Sequence, residues 1–114
     1  MTSKPHCLFC QIVAGEVPAE IVASNDHAVA FVDRSPKAPT HILVIPRRHA
    51  ANAAETAAQG GTDAIITLAD EAAREVGLDH GYRLVTNTGA DGGQVVFHTH
   101  YHLLGGRQLR WPPG

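Results

Sequence analysis

A chain of 114 residues, 44% of them hydrophobic and 18% charged, has the size and composition of one globular domain spanning residues 1–114. Its formal net charge of -2 leaves no basic footprint for a phosphate backbone, so no nucleic-acid partner is expected. No apolar run approaches the length of a membrane span and MTSKPHCLFC lacks the apolar core of a signal peptide, so no membrane partner and a cytoplasmic location are expected.

Residues 7–14 read as a short helix, ended by Gly15 and Pro18. The only two cysteines stand here as Cys7-x-x-Cys10. In a reducing compartment that spacing is half a zinc site or a redox pair, and no strand precedes it as the redox geometry requires. Two strands follow near Ile21–Ser24 and Ala28–Val32, with Asn25-Asp26 as the turn between them. DRSPKAPTH is a proline-punctuated loop, and the apolar run Ile42–Ile45 is a buried strand stopped by Pro46. The main helix is Asp63–Val76, with Thr62 placed to cap its start and Gly77 its end. Ile65, Leu68, Ala69, Ala72 and Val76 form its apolar stripe. YRLVTN alternates as a strand, GADGGQ is a turn, and Val95–Leu104 is the last strand. One main helix and a short N-terminal helix set against an antiparallel sheet make the fold class α+β.

Eight histidines are many for this length, and three of them alternate in HTHYHLL, His98 to Leu104. On a pleated strand His98, His100 and His102 share one face, while Phe97, Thr99, Tyr101 and Leu103 take the other. Ordinary wet strand faces carry Thr, Lys, Glu and Arg, so the histidines point to chemistry. Spacing leaves two kinds open. Two imidazoles at i and i+2 with a third nearby could hold a catalytic zinc with a position left for water. Alternatively, the histidines are themselves the catalysts.

HTHYHLL resembles the His-x-His-x-His-x-x signature of the histidine triad superfamily of nucleotide hydrolases and transferases. FVDRSPKAPTHILVIPRRH resembles that family's middle block and NTGADGGQ its glycine-rich approach to the triad. LLGGRQLRWPPG resembles the ending of the histidine triad nucleotide-binding branch, so the likeness runs from Cys7 to Gly114. It implies a histidine triad fold, a homodimer, and a hydrolase of purine nucleoside 5′-phosphoramidates and related acyl or aminoacyl adenylates that releases AMP or a similar nucleotide. The alternatives are a dinucleoside polyphosphate hydrolase or nucleotidyl transferase of the same superfamily, or an interaction module that binds nucleotides with incidental catalysis.

The resemblance also implies roles. His100 is the nucleophile that takes the nucleotidyl group, splitting one displacement into two. Its attacking nitrogen must be unprotonated, so its other ring N–H needs an acceptor such as a backbone carbonyl. His102 contacts the phosphate and assists the leaving group, and His41 orients the cluster. Cys7, Cys10, His49 and His98 become the ligands of a structural zinc that the chemistry itself does not need. Gly93, Gln94 and Val95 meet the phosphate with Asn87 nearby, and Asp33 meets the ribose. Phe9, Ile12, Val17 and Phe31 line a base pocket, and Trp111 joins the nucleotide-binding set. Two positions depart from the branch. Val95 stands where serine is common, and Arg34 stands where an aliphatic residue is common, which bears on nucleoside preference.

Overall fold

The computed structural model describes Lys4 and residues 6–114. In chain order the elements are α1 (Leu8–Val13), β1 (Ile21–Ser24), β2 (Ala28–Val32), β3 (Thr40–Pro46), α2 (Ala53–Ala58), α3 (Thr62–Glu75), β4 (Arg83–Val85) and β5 (Tyr101–Gly105). The strands form one sheet in the order β1-β2-β3-β5-β4. Every neighbouring pair is antiparallel, as an α+β fold requires. Among the described residues no helix is long and apolar enough to cross a membrane.

The β1–β2 hairpin forms where Asn25-Asp26 was expected to turn. The Asn25 side-chain oxygen accepts from the N–H groups of His27 and Ala28, both at 2.8 Å, which closes an Asx turn. β2 and β3 read as continuous apolar runs because both faces of the sheet are covered. Ala28, Ala30, Ile42 and Val44 face α3 and its Ile65, Leu68, Ala69 and Ala72. Val29, Phe31, Leu43 and Ile45 pack on the opposite side with Phe9 of α1. The small alanines of β2 leave room for the larger α3 side chains, and this is the main core.

Two expectations for α3 need correction. The cap of α3 is Gly61, without a side-chain hydrogen bond, and the Thr62 hydroxyl is buried with no partner among the described residues. The residue before Thr62 already has helical backbone angles, so Thr62 falls inside the first turn. The stripe ends at Ala72 and Ala73, since the helix stops at Glu75 and leaves Val76 40% exposed. Gly77 does take the left-handed conformation at the end, with φ +80°.

The last strand is shorter than its alternation suggests. Pairing begins at Tyr101, opposite Val44, because β3 has only Ile45 and Pro46 left beyond that point. Pro46 has no N–H to donate to a ladder. Residues 94–100 therefore run as irregular chain, and Phe97, expected on the buried face, is 62% exposed. Thr99 anchors the run instead: its N–H donates to the Ala50 carbonyl at 2.8 Å, and its hydroxyl accepts from Thr56 at 2.7 Å.

Candidate functional site

The irregular run before β5 aims its histidines at different tasks. The His98 side chain is buried completely, and its Nε2 lies 2.9 Å from the Pro46 carbonyl oxygen. A carbonyl only accepts, so Nε2 carries the proton and Nδ1 holds the lone pair. That Nδ1 sits 3.2 Å from Cys7 Sγ, 3.5 Å from Cys10 Sγ and 3.2 Å from His49 Nδ1. Cys10 Sγ lies 3.4 Å from His49 Nδ1. A tetrahedron built on ordinary Zn–S and Zn–N bonds has edges of roughly 3.3–3.8 Å, close to these separations. Burial pushes His98 down to about 4 and lowers His49, so both rings are neutral donors at neutral pH. Burial raises the Cys10 thiol, so its thiolate form calls for a cation beside it. Two sulfurs and two imidazoles make a closed site of the structural zinc type, with no position left for a reacting water. His100 and His102 lie outside this donor set; His102 instead groups with His41 and Asp33, whose ligand atoms lie within 4.8 Å of one another.

His100 is buried, and its Nδ1 donates to the His98 carbonyl oxygen at 2.8 Å. In the neutral ring the lone pair is therefore on Nε2. On β3, His41 Nδ1 accepts the Lys37 backbone N–H at 3.0 Å, so its Nε2–H donates to His102 Nδ1 at 2.8 Å. Asp33 Oδ2 stands 3.4 Å from the same His41 nitrogen. With Nδ1 accepting, His102 carries its own proton on Nε2. Its ring lies 5.0 Å from that of His100. The hydrogen-bond partners thus assign complementary tautomers, a bare nitrogen on His100 and an N–H on His102. Burial holds His102 down to about 4, helped by His100 and His41 against the pull of Asp33. Burial likewise lowers His41 against the pull of Asp33. Both stay neutral at pH 7.

Beside these rings opens a cavity of about 700 Å³, lined by Leu8, Phe9 and Ile12 of α1, by Phe31 and Leu43 of the sheet, and by Asp33 and Arg34, with Val17 also on its wall. Phe9 meets both Phe31 and His100 edge-on, with centroids 5.7 and 5.1 Å apart. Asp33 Oδ1 accepts the Ser35 N–H at 2.7 Å, so one oxygen caps the loop while the other faces His41. The Arg34 guanidinium donates to the Pro18 carbonyl at 3.0 Å across the rim.

The glycine turn differs from its expected role. The N–H groups of Gly93 and Gln94 donate to the carbonyls of Ala90 and Gly89, both at 3.0 Å. The Gln94 amide accepts from Gly89 N–H at 3.0 Å and donates to Ala51 and Val96 carbonyls at 2.7 and 3.1 Å. These two residues shape the turn rather than offer donors. A Cβ at Gly92 would lie 2.5 Å from the Thr88 carbonyl oxygen, so only glycine fits there. Beyond Gln94, the N–H groups of Val95, Val96, Phe97 and His98 make no hydrogen bond with the described residues. Asn87 and Trp111 do not line the cavity, and Trp111 is 79% exposed over the Arg83 guanidinium, 5.9 Å from it.

The HIT domain family model matches residues 14–109. The chain belongs to the HIT domain family. An uncharacterized HIT-like protein of Synechococcus elongatus is 49% identical over 110 residues, covering 94% of this chain and 96% of its own length. The 14 kDa zinc-binding protein of Zea mays is 40% identical over 111 residues, covering 94% of this chain and 87% of its own. The crystal structure of a HIT family hydrolase from Legionella pneumophila superposes with a TM-score of 0.89 at 46% identity, covering 96% of this chain and 100% of that one.

Several groups that set this HIT domain site have no signature in sequence. The carbonyls of His98 and Pro46 and the N–H of Lys37 fix three imidazole tautomers, and any residue type supplies them. The Thr86 hydroxyl, which donates to the His100 carbonyl at 2.9 Å, stood in the expected strand YRLVTN without a role. Leu8, Leu43 and Val96 join the cavity wall, and only their apolar character hinted at it.

Proposed function

We propose that this HIT domain protein is a nucleotide-binding hydrolase of the histidine triad nucleotide-binding branch, cleaving purine nucleoside 5′-phosphoramidates and related adenylates through a nucleotidyl-His100 intermediate. The observation that carries this is the His100 Nδ1–H donation to the His98 carbonyl, which puts the lone pair of the neutral ring on Nε2. That nitrogen attacks the α-phosphorus, a P–Nε2 bond forms, and the bond to the leaving nitrogen breaks. Water then attacks phosphorus, and the electron pair of the P–Nε2 bond returns to the imidazole. His102 offers its Nε2–H to a phosphate oxygen or the leaving atom, and His41 holds that ring in register. The Val95 and Phe97 N–H groups are suited to the phosphate oxygens, the cavity to an apolar base, and Asp33 to ribose hydroxyls. The name of the Legionella pneumophila relative, a hydrolase, supports the class of reaction. The Zea mays relative, named for zinc binding, supports zinc as the ion of Cys7, Cys10, His49 and His98. Zinc there supplies no reacting group; it ties the N-terminal segment to the sheet. AMP is the expected product, and a homodimer the expected assembly, which sedimentation measures directly.

Rapid acid quench with a labelled AMP phosphoramidate should trap label on His100. His100→Ala should lose turnover on the order of 10³-fold or more yet keep its affinity for AMP. A variant that releases product as fast as the parent would identify an interaction module. Faster turnover of dinucleoside polyphosphates or sugar nucleotides than of phosphoramidates would select the other superfamily chemistries.

A further inference from the structure

Helix α1 has only six residues, Leu8–Val13, too few to persist in water unaided. Its cap is Cys7, whose Sγ accepts the Cys10 N–H at 3.3 Å. Both sulfurs also lie against the His49–His98 pair, at 3.2 to 3.5 Å. The helix is therefore fastened at its start and at its third residue by the donor set of the metal centre. Phe9 lies between those two fastenings. It is 5% exposed and meets His98, His100 and Phe31 edge-on, at 5.8, 5.1 and 5.7 Å. It also lines the cavity, with Leu8 and Ile12 of the same helix. One phenyl ring thus touches a metal donor, the proposed nucleophile and the pocket floor.

We propose that metal occupancy at Cys7, Cys10, His49 and His98 sets the affinity of the adjacent cavity for a purine nucleotide, with Phe9 as the positioning residue that carries the coupling. This rests on the nucleotide reading of the cavity. With zinc bound, two S–Zn bonds hold α1 against the sheet and Phe9 closes one wall. Without it, the helix keeps only its apolar attachment, Phe9 in the core with Ile12 and Val13 against it, and the wall loosens. The coupling is reciprocal, so bound nucleotide tightens zinc by the same factor.

The test compares AMP affinity of zinc-loaded and zinc-stripped full-length protein, with hydrogen exchange followed in both. Zinc removal should weaken AMP about tenfold and speed exchange at residues 8–13 while residues 62–75 stay protected. Edge-on aromatic contacts are worth up to roughly 1.5 kcal/mol, which is about that factor. Phe9→Ala should retain zinc, weaken AMP similarly, and make affinity insensitive to zinc removal; Phe9→Leu should recover part of both. Equal AMP affinity with and without zinc, or an unchanged zinc effect in Phe9→Ala, would overturn the coupling. Loss of protection at residues 62–75 as well would overturn it too, by showing that zinc holds the whole domain. Failure of AMP to bind even the zinc-loaded protein would overturn the nucleotide reading instead. The exchange of residues 8–13 needs no nucleotide, and it decides in that case whether the metal holds the wall.

Discussion

Val95 follows a glutamine whose N–H and side-chain amide are all hydrogen-bonded, and Val95 itself is 83% exposed. Replacing it therefore carries little cost in folding. The histidine triad nucleotide-binding branch commonly has serine here, and a hydroxyl can reach a phosphate oxygen that valine cannot. A hydrogen bond to a charged group is worth roughly 1.5–3 kcal/mol, or about tenfold or more in rate if made in the transition state. Val95→Ser should accordingly raise kcat/KM for AMP phosphoramidates with poor amine leaving groups, and less so for good ones. An unchanged or lower value with the poor leaving group would show that position 95 does not reach the phosphate. Residue identity was readable at this position from sequence; its exposure was not. Val95 opens the strand expected over Val95–Leu104, and the loss of ladder partners beyond Pro46 puts it in solvent instead.

At the scale of elements, α2 fastens the irregular segment that carries His98 and His100. Thr56 of α2 is fully buried and donates to Thr99 Oγ1 at 2.7 Å, and Thr99 in turn reaches the Ala50 carbonyl at 3.3 Å. Thr99→Val strands the Thr56 hydroxyl and should cost about 1–3 kcal/mol in denaturant unfolding. Adding Thr56→Val removes the stranded group, so the double variant should be more stable than the Thr99→Val single variant. A double variant that is additively worse would show the pair to be incidental to the fold. The helix was legible in principle: Asn52 caps it through the Glu55 N–H at 3.0 Å, and Asn-x-x-Glu is a capping signature. Six residues with no apolar stripe give no periodicity to notice. The β1–β2 hairpin was legible with its bounds, because its turn is written in Asn25 and its second strand is an apolar run that is buried.

Across the described residues, burial lowers four histidines, His49 and His98 beside the two cysteines and the hydrogen-bonded pair His41 and His102. Their effect on stability has a definite sign. His102 sits at about 4 when folded against an ordinary 6.5, so below pH 6.5 the unfolded chain binds the extra proton. Stability is full above about pH 6.5, falls as pH drops toward about 4, and levels off below. Denaturant midpoints of the zinc-loaded protein across this window should fall toward acid. In His102→Gln the slope should be shallower by about one proton at most. An identical slope in the two proteins would mean His102 titrates normally in the fold.

The sequence by itself determined what depends on short-range pattern. That includes the β1–β2 hairpin, the buried β3 run, the α3 core stripe from Ile65 to Ala72, and the block order that places the chain among HIT domains. Cys7-x-x-Cys10 showed half a metal site by its spacing, while His49 and His98 came from the family resemblance, since nothing in residue chemistry picks two histidines out of eight. Only the tertiary structure decided what each histidine does. Alternation predicts one shared face, whereas the chain between Gln94 and His100 leaves the ladder and turns His98 to the sulfurs and His100 to a carbonyl. Tautomers are set by backbone groups 2 to 52 residues away in the chain, and backbone groups are the same in every sequence. The zinc-fastened helix likewise becomes a pocket wall only when Phe9 meets Phe31 and His100 in space.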